Sequence, residues 1–329
     1  MASTATPPPA SSQEYTSDSA QGQPAEMSTT IRYDFGKHGV VSAVARSHCN
    51  QAGQKQVNRL AISPNKAFVA AAGNNTVRIW DISSMSNTPI ASLEGHSGNV
   101  VALAYSALGK WIVTGGEDGC VKVWDTRTAQ TQRMYTHDCP VNDVVIHPNQ
   151  GELISCDQSG SVKIWDLAEN SCTHELVPDE DVPIRTVCIS SDGNTLLTIS
   201  QGMVYVWRII PVPNANANLI PVTSFRAHTK YITRCILSPD TKYLATCSAD
   251  HTVKVWSTAG IDYTLEKTLV GHQRWVWDAA FSADSAYLVT ASSDHAARLW
   301  DLSLGETVRQ YDGHHRAAVC CALNDINLA

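Results

Sequence analysis

Three sets of a histidine, an aspartate and a tryptophan recur at identical spacings, and their side chains could do acid–base chemistry. In each set the aspartate follows the histidine by 22 residues, and the tryptophan follows the aspartate by six. The sets are His96, Asp118 and Trp124; His228, Asp250 and Trp256; and His272, Asp294 and Trp300. With a nearby hydroxyl, a His–Asp pair resembles a hydrolase triad. An active site occurs once in a chain, however, so repetition favours a structural network in which the aspartate accepts from the imidazole and the indole N–H joins.

The hydroxyl of each network comes from the strand before the aspartate. The candidates are Thr114; Thr246 or Ser248; and Thr290 or Ser292. Other units depart from the pattern. The unit ending at Trp165 keeps His137 but has Ser159 at the aspartate position, which predicts a weaker network there. Similar losses in the units ending at Trp80 and Trp207 predict that stability is concentrated in the last two complete units.

The elements that must position these residues are copies of one phrase. Tyr243–Trp256 recurs as Tyr287–Trp300 and Trp111–Trp124, and each copy reads as a short apolar strand, a polar turn and an alternating strand. From Trp80 to Trp300 the spacings between the terminal tryptophans are 44, 41, 42, 49 and 44 residues. This period, with its Gly-His and Trp signals, is typical of WD40 repeats, so the predicted fold class is an all-β, seven-bladed WD40 β-propeller.

The repeat also predicts how the ring closes. Apolar residues open the predicted inner strands at Val57, Val100, Val141, Ile184, Ile232, Val276 and Ala318. Six residues after the opening residue of each complete unit a turn is predicted, at Ser63, Ser106, His147, Ser190, Ser238 and Ser282. This gives six complete blades within 57–329 and a lone strand, Ala317 to Leu323, at the end. A hybrid closing blade would draw its other strands from the degenerate segment 29–56, although that segment is open to two other readings, loose order or an alternative or misassembled start. Residues 1–28 are rich in Ser, Thr, Pro and Gln and are predicted to be a disordered tail.

Composition limits the function classes. The net charge of −7 and pI near 5.9 give no basic footprint for nucleic acid, and no apolar stretch is long enough for membrane insertion. The ten cysteines are interpreted as reduced thiols of a cytoplasmic protein, with Cys49, Cys139 and Cys172 in connecting segments. The pairs His314–His315 and Cys320–Cys321 do not predict a metal site, because strand neighbours point to opposite faces. No cofactor is predicted.

Binding is instead expected on the face whose loops lead into the inner strands. One position per unit should line the mouth of the central channel: Asn58, Val101, Asn142, Arg185, Thr233, Trp277 and Val319. Lys230-Tyr231 and Arg274-Trp275-Val276-Trp277 form a sector rich in the residue types of binding hot spots. We predict partner contact for Tyr231, Arg274 and Trp275. Trp277 is predicted equally well as a partner contact or as packing within the channel.

Several loop phrases carry a more specific resemblance. They are Val57–Pro64, His147–Ile154, Cys156–Gly160, His228–Tyr231, Cys247–Asp250, Trp275–Trp277, Ala291–Asp294, Val319–Cys320 and Asn324–Asp325. From about Val57 onwards the chain resembles the small WD40 subunits of target-of-rapamycin (TOR) kinase complexes, the G-protein-β-subunit-like proteins. It departs from that family before Val57, where family members carry the strands that complete the seventh blade.

The resemblance implies a seven-bladed, non-catalytic scaffolding subunit. Such a subunit binds the TOR kinase catalytic domain and supports its active state in growth and nutrient signalling. It occurs in both TOR complexes, where it is assembled with their other subunits. By analogy, the kinase-contacting surface would be the sector around Tyr231, Trp275 and Trp277. The protein is expected in the cytoplasm, where the kinase complex could also hold it peripherally at endomembranes. The alternative is a substrate-recognition propeller of a ubiquitin ligase or another interaction hub; a propeller enzyme would need a unique acid–base or metal constellation.

Overall fold

The computed structural model describes residues 30–31, 40–43, 45–46, 57–84, 88–180, 182–212, 215–312 and 316–325. Regular structure in these ranges is entirely β-strand, which confirms the all-β prediction. Alternation explains the strands: in Cys120–Asp125 the side chains of Val121 and Val123 are buried while Lys122 between them is not. Within the same ranges, no helix is long and apolar enough to cross a membrane. The segment predicted as a disordered tail lies outside the described residues.

Six four-stranded antiparallel sheets follow one another along the chain and form blades 1 to 6. Three short strands precede them: β1 (Thr30–Ile31), β2 (Val40–Ala43) and β3 (Ala45–Arg46). Blades 1 to 3 comprise β4 (Arg59–Ile62), β5 (Phe68–Gly73), β6 (Thr76–Asp81), β7 (Ala91–Glu94); β8 (Val100–Tyr105), β9 (Trp111–Gly116), β10 (Cys120–Asp125), β11 (Thr131–Thr136); and β12 (Val141–Ile146), β13 (Glu152–Asp157), β14 (Val162–Asp166), β15 (Ser171–Leu176).

Blades 4 to 6 repeat this arrangement, and one strand follows them. They comprise β16 (Ile184–Ile189), β17 (Thr195–Ser200), β18 (Met203–Val212), β19 (Ala215–Arg226); β20 (Ile232–Leu237), β21 (Tyr243–Ser248), β22 (Thr252–Ser257), β23 (Thr264–Val270); and β24 (Val276–Phe281), β25 (Tyr287–Ser292), β26 (Ala297–Asp301), β27 (Glu306–Tyr311), with β28 (Ala322–Asp325) last. Cys172 therefore lies within β15, and its prediction as a linker residue was wrong.

The turn between the first two strands of each blade uses one chemistry. The residue predicted to begin that turn accepts a backbone hydrogen bond from the residue three positions later, as when Lys66 donates to Ser63 at 2.8 Å. The donor residue has a positive φ, in the left-handed region, in all six blades: Lys66, Gly109, Gln150, Gly193, Thr241 and Ser285. These six predicted turn positions are confirmed, and they fix the register with which each inner strand enters its sheet.

The core consists of apolar clusters between successive blades. Trp124 of blade 2 packs with Ala70 and Val77 of blade 1, and Trp165 of blade 3 packs with Val121 of blade 2. A similar cluster joins each later pair of blades. Burial of these side chains between sheets is the main source of stability expected for the fold.

The C-terminal segment fills the space between blade 6 and blade 1. Cys320 and Ala322 belong to a core cluster with Trp80 of blade 1, while Ala318 and Cys321 belong to one with blade 6. In addition, β28 pairs antiparallel with β2, from Val40 opposite Asp325 to Ala43 opposite Ala322. The described residues give two strands here, so the four-stranded hybrid blade drawn from 29–56 stays a prediction.

The predicted final strand, Ala317 to Leu323, was placed too early. Its observed counterpart is Ala322–Asp325. Before Ala322 this segment is held by blade 6, where Ala318 donates to the Ser292 carbonyl at 3.0 Å and Cys321 to Asp278 Oδ2 at 3.1 Å. Its strand partner among the described residues, Val40–Ala43, lies opposite Ala322–Asp325, so the ladder is confined to those four residues.

Candidate functional site

The three predicted sets of His, Asp and Trp are each brought together by hydrogen bonds. In blade 2, His96 Nδ1 lies 2.9 Å from Asp118 Oδ2, His96 Nε2 lies 2.7 Å from Thr114 Oγ1, and Trp124 Nε1 donates to the same hydroxyl at 2.8 Å. The same three contacts measure 2.7, 2.9 and 3.0 Å for His228, Asp250, Thr246 and Trp256, and 2.8, 2.7 and 2.9 Å for His272, Asp294, Thr290 and Trp300.

The proton positions in these networks follow from the donors. Because the indole N–H occupies an acceptor site of the Thr114 hydroxyl, that hydroxyl can donate to His96 Nε2, and His96 Nδ1 then donates to Asp118. Burial lowers the pKa of His96, which keeps the ring neutral. Burial would raise the pKa of Asp118, but hydrogen bonds from the backbone N–H groups of Ser97 and Cys120 and from the His96 ring lower it. The network is therefore a neutral imidazole on an ionised carboxylate.

Blade 3 contains a fourth complete network, so the predicted weakening there was wrong. His137 Nδ1 lies 2.9 Å from Asp157 Oδ2, His137 Nε2 lies 2.7 Å from Ser155 Oγ, and Trp165 donates to Ser155 at 2.7 Å. The carboxylate comes from two positions earlier than Ser159, the residue that aligns with the other aspartates. Complete networks therefore occur in blades 2, 3, 5 and 6, and the concentration of stability in the last two complete blades stays a prediction.

The carboxylate comes from the last residue of the second strand in blade 3, and from two positions later in blades 2, 5 and 6, where that last residue is Gly116, Ser248 and Ser292. In blade 2 this residue is Gly116, and a Cβ there would lie 2.5 Å from Asp118 Oδ1 and 2.7 Å from His96 Nδ1. In blade 3 the same position is Asp157, so its own side chain occupies the space that Gly116 leaves open. Each of these imidazoles therefore has one carboxylate beside it, either from the last residue of the second strand or from the residue two positions later.

The networks have the connectivity of a hydrolase triad but not its accessibility. Ser155, His137 and Asp157 are ordered as nucleophile, base and orienting acid would be. Ser155 is completely buried, however, and its oxygen already accepts the Trp165 indole N–H. A substrate carbonyl has no route to that oxygen, which favours the structural role expected from the repetition.

A second constellation, which the sequence analysis missed, lies on the central channel. Asp143, Arg234 and Asp278 are the third residues of the inner strands of blades 3, 5 and 6, and Arg59, the first residue of β4, is the equivalent position of blade 1 counted from Val57. Arg59 lies 3.8 Å from Asp143 and 3.5 Å from Asp278, and Arg234 contacts Asp143 directly and lies 3.5 Å from Asp278. Two cations and two anions thus balance within one cluster, which we call the channel cluster. The signal was available: three charges occur at one register position of otherwise apolar strands, with Arg59 beside them.

Hydrogen bonds fix the two carboxylates of the channel cluster. Asp143 accepts the Thr186 hydroxyl at 2.7 Å and the backbone N–H groups of Val144 and Val187 at 3.0 and 3.3 Å. Asp278 accepts the N–H of Cys321. Burial raises the pKa of both carboxyl groups, against the opposing charge of Arg59. The charge of Arg59 thus favours the ionised form of both carboxyl groups and opposes the effect of burial.

The channel opens into a cavity of about 630 Å³, and all seven residues predicted to ring its mouth line it. That prediction is confirmed. Five of them, from Val101 in blade 2 to Trp277 in blade 6, sit at β-bulges, which re-aim a side chain out of the strand alternation. Asn58 and Asn142 also donate to the carbonyls of Val100 and Ile184 in the next blade, at 2.9 and 2.8 Å.

The aromatic sector lies at the edge of this mouth on blades 5 and 6. Tyr231 and Trp275 directly precede β20 and β24 and are 54% and 44% exposed, respectively. Trp277 is half-buried, lines the cavity, and donates to Ser293 Oγ at 2.5 Å, while its ring centre lies 5.4 Å from that of Trp275. Arg274 is exposed beside them. Trp277 thus has an internal partner, whereas Tyr231 and Trp275 present large apolar surfaces to solvent.

Comparisons with known proteins agree with this architecture. The chain matches the family "WD domain, G-beta repeat" over residues 35–81, 87–125, 129–166, 170–208, 219–257 and 263–301. It is 58% identical, over 91% of its own length and 94% of the relative's, to the target of rapamycin complex subunit wat1 of Schizosaccharomyces pombe. It is 54% identical to subunit LST8 of Saccharomyces cerevisiae (90% and 96% covered) and 44% identical to LST8-1 of Arabidopsis thaliana (92% and 99% covered). The chain therefore belongs to the WD40 repeat family and, within it, to the LST8 family of target of rapamycin complex subunits.

Proposed function

We propose that this protein is a non-catalytic scaffolding subunit of TOR kinase complexes, which binds the kinase catalytic domain and supports its active state. Relatives from three organisms, each named as a TOR complex subunit, match nearly the whole chain, and this supports membership of such complexes. A ubiquitin-ligase propeller is not favoured by these names. We further propose that it works in the cytoplasm and reaches endomembranes only through the complex.

The observation that carries the binding role is the exposed aromatic pair Tyr231 and Trp275. Large aromatic side chains bury much area at low entropic cost, and they dominate binding energies when a partner covers them. Trp277, by contrast, lines the cavity and donates to Ser293, so its position is explained by contacts within the chain. The sector therefore fits a flat docking contact with the kinase domain.

The non-catalytic role is supported by the way the reactive groups are used. The His–Asp–hydroxyl sets recur in four blades, and each hydroxyl accepts an indole N–H inside the core. The propeller would then support the kinase by binding the active conformation of the kinase domain more tightly than the inactive one.

The test is capture of the TOR kinase by the full-length chain, with Tyr231→Ala and Trp275→Ala combined in one variant. Loss of two hot-spot side chains at about 2 kcal/mol each should weaken the Kd by roughly 1,000-fold if the two losses add. Leu108→Ala with Leu304→Ala is the matched control, because these residues are exposed by 77% and 68% on turns at the opposite face. Equal capture by both variants, or recovery of a cullin adaptor in place of a TOR kinase, would contradict the proposal.

A further inference from the structure

One loop position carries a positive charge on only one side of the propeller. It lies two residues before the start of each inner strand, next to the position of Tyr231 and Trp275. In blade 1, counted from Val57, this residue is Lys55, which lies outside the described residues. In blades 2 to 4 the position is uncharged, whereas in blades 5 and 6 and before the C-terminal segment it is basic: Gly98, Cys139 and Val182 against Lys230, Arg274 and Arg316. All three basic residues are exposed. We call them the cationic arc.

Cations that serve the fold behave differently in this chain. Lys122, Lys163, Lys254 and Arg298 occupy one register position in four blades, and each lies 5.7–6.0 Å from the ring centre of its blade's tryptophan. A structural charge is thus repeated and has an internal partner. By contrast, neither Lys230 nor Arg274 has a carboxylate within 4 Å in the part of the chain that the structure describes. Lys230 and Arg274 therefore lie in one sector without an ion pair among the described residues, so folding does not account for these two charges.

We propose that the partner surface that covers Tyr231 and Trp275 is acidic and places Asp or Glu carboxylates against Lys230, Arg274 and Arg316. This inference rests on the proposed function and names the chemistry of the surface that docks there. Arginine and lysine at the rim of an aromatic contact are suited to carboxylates, which they bind with charge-assisted hydrogen bonds. The carboxylates belong to a folded protein surface, since the arc follows the loop face across three successive units and lies outside the cavity.

Acidic residues on the other half of the loop face would favour one orientation of the partner over the others. Glu117, Asp138 and Glu180 are exposed on the loops of blades 2 to 4. An acidic partner turned towards those blades would meet these three carboxylates against the one exposed Arg185, whereas over blades 5 and 6 it meets the cationic arc. Rim charges of this kind act mainly on the association rate and on orientation, and their effect falls with rising salt.

The experiment measures association and dissociation rates of the TOR kinase domain on the immobilised full-length chain at 50 and 300 mM salt. Lys230→Glu with Arg274→Glu should reduce the association rate about tenfold or more at low salt and remove most of its salt dependence. The control, Lys110→Glu with Arg127→Glu, makes the same change of net charge on exposed turns at the opposite face. Lys230→Gln with Arg274→Gln should give an intermediate rate.

The outcomes separate the two proposals. If Trp275→Ala weakens binding while the arc reversal behaves like its control, the docking site stands and the acidic partner surface is refuted. If the kinase domain does not bind the wild-type chain at all, the proposed function fails first. A selective loss of rate in the arc reversal, with normal thermal unfolding of that variant, supports the inference.

Discussion

Removal of the Asp143 carboxylate is the sharpest test of the channel cluster. In Asp143→Ala, Arg59 and Arg234 would share Asp278 alone, and the Thr186 hydroxyl would lose its acceptor. The Asp143 side chain is only 4% exposed and that of Arg234 is 14% exposed, so water does not replace the lost charge fully. Breaking a buried ion pair on one side typically costs about 3–5 kcal/mol. The neighbouring cavity admits some solvent, so we expect the lower end, about 3 kcal/mol.

The assay is equilibrium urea unfolding of the full-length chain, with Lys242→Ala as the surface control. Lys242 is 74% exposed and pairs with Asp240 at 3.4 Å, so its loss should change the free energy of unfolding by less than about 1 kcal/mol. A double variant, Asp143→Leu with Arg234→Met, leaves Arg59 opposite Asp278 and restores charge balance. It should recover about 1–3 kcal/mol relative to the sum of the single changes.

Two results would refute this reasoning. A cost below about 1 kcal/mol for Asp143→Ala would mean that the arginines are hydrated through the channel, as at a protein surface. Strict additivity in the double variant would mean that the two side chains are not coupled, whatever their distance in the structure.

Two further predictions concern the His–Asp networks. Asp157→Ala in blade 3 should destabilise the fold by about 1–3 kcal/mol, as should Asp250→Ala in blade 5, because each leaves a buried imidazole donor unpaired, whereas Ser159→Ala should cost clearly less than Asp157→Ala. Urea unfolding measures this, and equal costs for Asp157 and Ser159 would contradict the assignment. The second prediction concerns pH: burial lowers the pKa of His228 below its ordinary 6.5, so the unfolded chain binds a proton first as pH falls. The free energy of unfolding should therefore decrease from pH 7.5 to 5.5, less steeply in His228→Gln, and an unchanged slope in that variant would argue against it.

Much of the fold could be predicted because the same sequence pattern occurs in each repeat unit. Six blades, their turn positions and the ring of residues at the channel mouth follow from one register applied to each unit. The blade 3 network could not be placed in the same way. Alignment gives Ser159 at the aspartate position, but spacing along the chain does not show that Asp157 can reach the same imidazole through space.

The channel cluster shows a different limit of sequence reasoning. Arg59, Asp143, Arg234 and Asp278 are far apart in sequence and belong to four blades. Nothing local predicts that they meet, because their contacts run across the channel and not along a sheet. Only a comparison of the repeats reveals these residues, because a charged residue then stands at an inner-strand position that is uncharged in the other blades. Such a charge needs a buried partner, and only the closed ring provides one.

Closure of the ring depends on more than the short pairing of β28 with β2. The C-terminal segment contributes side chains to core clusters with blade 1 and with blade 6, and Arg59 of blade 1 reaches Asp278 of blade 6 across the same gap. Asp278 in turn holds the Cys321 N–H. Apolar burial and a balanced charge pair therefore join the two ends of the ring at the level of the channel. A loop face built on such a ring presents Tyr231 and Trp275 at fixed positions, which is what a docking surface requires.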